Sequence, residues 1–202
     1  MLKINKTADL DKHIKFKKKN NPQSWDDYDT SIKRTLKAHM LEKEQEDYCP
    51  YCERQIDVDN SHIEHIEPKH RASKFKEYNN MLTSCNNPNT CGEAKQGSFS
   101  DYFLNPVLVD PMKFLKYEFE TGMITPLEEN ETHSNHQKAR ETIDILKLNE
   151  RNLLQSRKRF NLIIGDMESY MDTQEIRNIL EGYLKDRENF KTLIQYHLNT
   201  YS

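Results

Sequence analysis

Ser61-His62-Ile63-Glu64-His65-Ile66-Glu67-Pro68-Lys69 is the stretch whose reading decides the fold, because the chain's four cysteines bracket it, Cys49 and Cys52 before and Cys85 and Cys91 after. The two-residue spacing of Cys49 and Cys52 lets one tight turn present both sulfurs to a tetrahedral ion. Cys85 and Cys91 are separated by Asn86-Asn87-Pro88-Asn89-Thr90, a loop of turn-forming residues. Thiols persist in a reducing compartment, so paired cysteines hold a metal more readily than they form disulfides. Four thiolates at about 2.3 Å from zinc make a closed structural site without room for a substrate water. Chemistry is therefore expected from the residues between the pairs.

Glu64 offers an oxygen ligand suited to a hard divalent cation, and His65 can take a proton near neutral pH. Metal-assisted phosphodiester hydrolysis needs both parts, an ion on the phosphate and leaving oxygen and a base on the attacking water. In a regular strand, neighbouring residues face opposite ways, so Glu64 and His65 share a site only at a strand end or a distorted turn. Pro68 is consistent with a strand that stops there.

Moving outward, Lys12-His13-Ile14-Lys15-Phe16-Lys17-Lys18-Lys19 is a concentrated basic segment, either a phosphate contact or a solvated helix face. Tyr28, Ile32, Leu36, Met40 and Leu41 have helical spacing between Trp25 and Asp47, with Ser24 as the expected N-cap. Beyond Lys95, alternation on either side of Thr121-Gly122 reads as a β-hairpin within Phe114–Pro126. From Ser134 onward the apolar residues keep helical spacing, with a break at Asp172-Thr173, which predicts a helical hairpin. The expected organisation is a basic and helical segment at 1–47, a metal-bearing module with its following hairpin at 48–130, and a helical region at 131–202.

Composition agrees with helices that carry broad solvated faces: 31% of the 202 residues are charged, five are glycine, and the mean hydropathy is −0.99. No run approaches the roughly 18 apolar residues of a membrane span, and Met1-Leu2-Lys3-Ile4-Asn5 lacks the apolar core of a secretion signal. A soluble, cytoplasmic protein without a membrane partner is expected. The formal charge of −3 means that any nucleic-acid binding must rely on local basic patches, a bound metal or a partner protein.

Tyr51-Cys52-Glu53, Ile63-Glu64-His65-Ile66-Glu67-Pro68-Lys69, Tyr78-Asn79-Asn80-Met81-Leu82-Thr83-Ser84-Cys85 and Cys91-Gly92-Glu93-Ala94-Lys95 resemble the zinc-knuckle branch of the HNH endonucleases. Within that branch they resemble the PtuB-like proteins of the Septu anti-phage systems, which also occur with some retrons. The resemblance implies an α+β, mostly helical fold: a small ββα-metal motif with zinc knuckles, flanked by an N-terminal helix and the C-terminal helical hairpin. It implies His65 as general base, Glu64 as ligand of a catalytic Mg or Mn ion, and Asn80 as holder of the loop that orients His65. Cys49, Cys52, Cys85 and Cys91 would bind the structural zinc, while Lys69 and Lys95 are candidate substrate contacts. The implied partners are an ABC-type, PtuA-like ATPase and a nucleic-acid substrate, DNA ahead of RNA.

The chain departs from that pattern at two places. Gly92 stands where the family commonly has a His or Asn that completes the metal site, so Glu93, Asn89 or water would have to substitute. Five residues separate Cys85 from Cys91 where two are usual. His62 shares a strand face with Glu64, a His-x-Glu pair also found in zinc deaminases, but there the pair precedes a Cys-x-x-Cys and here it follows one. His62 is therefore read as a surface or substrate-contact residue, and Lys69, His70 and Arg71 as a short basic cluster beside it. The competing reading is a zinc-stabilised nucleic-acid-binding or adaptor module that cuts no bond.

Overall fold

A computed structural model describes residues 1–70 and 74–201, which form seven α-helices and two separate two-stranded antiparallel sheets. The sequence between the cysteine pairs folds as strand, strand, helix. Strand β1 (Ser61–His65) pairs antiparallel with β2 (Met81–Cys85), so that Ser61 lies opposite Cys85 and His65 opposite Met81. The short helix α3 (Cys91–Lys95) follows directly. The observed architecture is thus the expected α+β, mostly helical one, with a small ββα unit at the cysteine cluster.

All five residues of β2 are buried, and two different cores explain it. Met81 packs with Ile32, Leu36 and Met40 of α2 (Thr30–Met40) and with Phe75 and Tyr78, whereas Leu82 and Cys85 belong to the core around the cysteines. The edge of β2 is closed by a side chain in place of a third strand. The Gln45 amide accepts from Thr83 N at 2.8 Å and donates to Thr83 O at 2.8 Å, leaving neither backbone group unpaired.

Helix α1 (Asp11–Asn20) carries the basic segment; Lys15, Lys18 and Lys19 are exposed, while buried His13 is held by Asp9 and the Tyr28 hydroxyl. Ser24 caps a separate 3-10 turn, Trp25–Asp27, by accepting from Asp26 N, and Asp29 caps α2 by accepting from Ile32 N at 2.8 Å. The expected single helix after Ser24 is therefore divided, because two capping residues lie five positions apart and each satisfies its own set of free N–H groups. The division places Trp25 outside α2 and beside the end of β1.

Strands β3 (Leu115–Tyr117) and β4 (Ile124–Pro126) form the expected hairpin. Its turn needs Gly122: φ is +73°, and a Cβ there would lie 2.6 Å from the Leu154 carbonyl. The C-terminal region folds as four helices where the periodicity suggested two: α4 (Ser134–Leu146), α5 (Arg151–Met167), α6 (Thr173–Lys185) and α7 (Lys191–Thr200). Lys147 ends α4 in the left-handed conformation and Glu150 caps α5; between α6 and α7 the chain turns so that Phe190 and Leu193 join the cysteine-side core. Asp172 caps α6 in a capping box with Glu175, at the expected break.

These helices are joined to the cysteine module by buried polar contacts. Glu53, next to Cys52, accepts from Thr192 N at 2.6 Å and also from the Thr192 hydroxyl. Thr90, next to Cys91, donates to Leu146 O at 2.9 Å. No helix among the described residues is long and apolar enough to cross a membrane.

Candidate active site

The Sγ atoms of Cys49, Cys52, Cys85 and Cys91 all lie within 4.8 Å of one another, and all four residues are buried. They are free thiols; Cys52 Sγ and Cys85 Sγ are 3.8 Å apart, far beyond a disulfide bond. Burial pushes the Cys91 thiol well above its ordinary range. Four sulfur donors gathered in one buried space form a set that can hold a metal ion once the thiols ionise. The five-residue loop before Cys91 does not prevent this, since Thr90 anchors its end to α4.

A cleft of about 320 Å³ opens over the end of β1, lined by Trp25, His62, Glu64, His65, Lys69 and Glu93 among others. Glu64 and His65 point to opposite faces of β1, yet both reach this cleft because His65 is the strand's last residue. The His65 Nε2 atom lies 3.1 Å from the Phe75 carbonyl. A carbonyl only accepts, so Nε2 carries the proton and Nδ1 keeps its lone pair. The Trp25 ring packs edge-on against the imidazole, with centroids 4.6 Å apart. Burial, opposed only in part by the Phe75 carbonyl and Glu64, lowers the His65 pKa to about 4. At neutral pH His65 is therefore uncharged and able to accept a proton.

Glu64 is also buried. Its Oε1 lies 2.8 Å from the Lys95 ammonium as an ion pair, but without an aligned hydrogen bond. Lys95 instead donates to the His65 carbonyl at 2.9 Å and is wholly excluded from solvent. The other carboxylate oxygen, Oε2, faces His62 Nε2 at 3.8 Å. Burial opposes a charge on His62, yet Glu64, Asn86 and Glu93 outweigh it and raise its pKa. The Asn80 amide hydrogen-bonds to neither His65 nor Glu64. Its amide accepts from Glu67 N at 2.8 Å and donates to Glu67 O and Lys74 O, while its backbone carbonyl accepts from Ile66 N. It thereby fastens the chain on both sides of the segment that follows His65.

A protein of Vibrio cholerae serotype O1 biovar El Tor, named "Retron Vc95 putative HNH endonuclease", is 26% identical to this chain in an alignment 202 positions long that covers 95% of each. The chain thus has a full-length homologue among retron HNH endonucleases. No family model matches the chain. The homologue supports the HNH endonuclease family and a nuclease role in a retron setting, in keeping with the ββα unit and the cysteine cluster.

Of the residues singled out from the sequence, the structure brings Glu64, His65 and Lys95 into one contact group, with the Lys69 side chain at the cleft rim. The four cysteines form a second group, and Asn80 lies beneath the loop between. Glu93 lines the cleft, Asn89 is exposed on its loop, and Arg71 lies outside the described residues. Sequence reasoning passed over Trp25, which it placed only as a helix start. His62, weighed for the strand face it shares with Glu64, was read as a surface or substrate-contact residue and not as a metal ligand.

Proposed function

We propose that this chain is a metal-dependent HNH endonuclease that hydrolyses nucleic-acid phosphodiester bonds. The observation that carries the reading is a buried, neutral imidazole, His65, held at a strand end beside the carboxylate of Glu64 in an open cleft. With its Nε2 proton committed to Phe75 O, His65 takes the proton of the attacking water at Nδ1. Glu64 presents Oε2 as a ligand for Mg or Mn, which when bound supplies Lewis acidity to the phosphate and the leaving oxygen. Lys95 acts as a positioning residue, fixing the Glu64 carboxylate and the His65 backbone together. Lys69 is the rim cation available to a phosphate, and the four cysteines hold a structural zinc that ties β2 and α3 to the turn at Cys49.

The resemblance of the Glu64-His65, Asn80 and cysteine segments to PtuB-like proteins supports a finer reading. The chain serves as the nuclease of an anti-phage complex with an ABC-type ATPase, acting on DNA in preference to RNA. The test is cleavage of DNA and of RNA in Mg or Mn by the purified chain, alone and co-expressed with an ATPase encoded beside it, with His65→Ala in parallel. Cleavage that disappears in the variant is the expected result. Cleavage that persists in it rules out the assigned base, and its absence in every arm favours a binding module.

A further inference from the structure

Gly92 occupies the position where a third metal-site side chain would project from α3, and the structure shows what stands there instead. A Cβ built on Gly92 would fall 2.6 Å from His62 Nε2 and 2.9 Å from Glu64 Oε2. Both distances are below any real Cβ contact, so the absence of a side chain at 92 is what allows the imidazole and the carboxylate to face each other. No glycine conformation is at issue; the need is for space.

The rest of the His62 environment has the form of a metal ligand. Its Nδ1 lies 3.1 Å from Asn86 Oδ1 and 3.3 Å from Glu93 Oε1. Both are acceptors, so Nδ1 carries a proton in either charge state, and in the neutral ring the Nε2 lone pair faces the cleft and Glu64. Metal-bound histidines have this arrangement, one ring nitrogen on the ion and the other donating to a carboxylate or carbonyl oxygen. The Nε2 to Oε2 separation of 3.8 Å is too long for a hydrogen bond. Two donors each about 2.0–2.2 Å from a shared ion can stand as far as roughly 4 Å apart, so a cation fits between them.

We infer that His62, projecting from β1, supplies the nitrogen ligand of the catalytic ion together with Glu64, and that Gly92 admits it. The ligand expected from α3 has moved to the adjacent strand, and Glu93 serves behind it as the acceptor that orients the ring. This inference rests on the metal-dependent reading above, and its test separates the two.

The experiment titrates the full, zinc-loaded chain with Mn2+ and follows binding by electron paramagnetic resonance, recording electron spin echo modulation from 14N. The expected result is one bound Mn2+ with the modulation of a directly coordinated imidazole. That modulation disappears in His62→Ala and in Gly92→Ala, whose methyl group displaces the ring, and it survives in His65→Ala. Mn2+ affinity falls about tenfold or more in the first two variants, while zinc content stays unchanged as the measure of an intact fold. Bound Mn2+ without nitrogen modulation in the unaltered chain overturns the inference, as does modulation that survives His62→Ala; cleavage by the same unaltered preparation leaves the nuclease reading standing. Failure of the unaltered chain to bind Mn2+ at all overturns both.

Discussion

The buried ammonium of Lys95 donates to the backbone carbonyl of His65 across 2.9 Å, so a side chain of α3 holds the last residue of β1 in place. The same ammonium lies 2.8 Å from Glu64 Oε1. Replacing Lys95 by Met leaves a buried carboxylate without its counter-charge and costs about 3–5 kcal/mol. Thermal unfolding should show a Tm lower by about 10 °C or more, with most of the loss recovered in Lys95→Met combined with Glu64→Gln. A single variant as stable as the unaltered chain would mean the pair contributes nothing.

His65→Ala removes the proposed base without touching a cysteine, so cleavage should fall by about 10²–10⁴-fold while zinc content and Tm stay close to normal. Because burial sets the His65 pKa at about 4, the base is neutral well below the ordinary imidazole range. The acid limb of the cleavage rate belongs near pH 4, or at the pH where the fold itself fails, and a limb near 6.5 would contradict the buried geometry.

Trp25 packs edge-on over that imidazole, with ring centroids 4.6 Å apart. Trp25→Ala should raise the His65 pKa toward the ordinary value of about 6.5, moving the acid limb of activity upward. Proton NMR titration of the His65 ring measures this directly, and an unmoved titration would show that Trp25 is not what keeps the ring dry.

Two histidines, His65 and His197, have pKa values lowered to about 4, in each case by burial. Between pH 6.5 and 4 the unfolded chain binds protons that the folded chain does not, so stability decreases as pH falls through this window. Above pH 6.5 both states hold these rings neutral and the effect vanishes. His197 Nε2 donates to Asn161 Oδ1 2.8 Å away. His197→Gln should flatten part of the decline in Tm between pH 6.5 and 4; an identical slope would assign the decline elsewhere.

Cys52→Ser should lower bound zinc, measured by mass spectrometry of the metal, and reduce Tm by about 10 °C or more, given several kcal/mol from the site at about 2–4 °C per kcal/mol. Glu53 follows Cys52 and holds Thr192 of α7, so the C-terminal helices should loosen in the same transition. Unaltered zinc stoichiometry would show that the four thiols do not act as one site.

The extent to which the site was legible differs from residue to residue. Cys49 and Cys52 could be read because a two-residue spacing is itself a local geometry, and the end of β1 because Pro68 interrupts strand pairing. The hairpin at Gly122 and the cap at Asp172 were legible for the same reason, each being a short-range backbone requirement. The division of the C-terminal region into four helices was not, since the spacing of apolar residues continues while the core they face changes at Phe190.

What the sequence by itself determined is the chemistry available: a thiol quartet and a Glu-His pair at a strand end. Only the tertiary structure decided which groups meet. Trp25 reaches His65 across forty positions, Lys95 reaches back thirty to fix Glu64 and His65, and Gly92 clears the space that His62 fills. The physical reason is that spacing constrains only neighbours along a strand or a turn. Burial, charge pairing and the room left by a missing Cβ depend on segments that the chain brings together after folding.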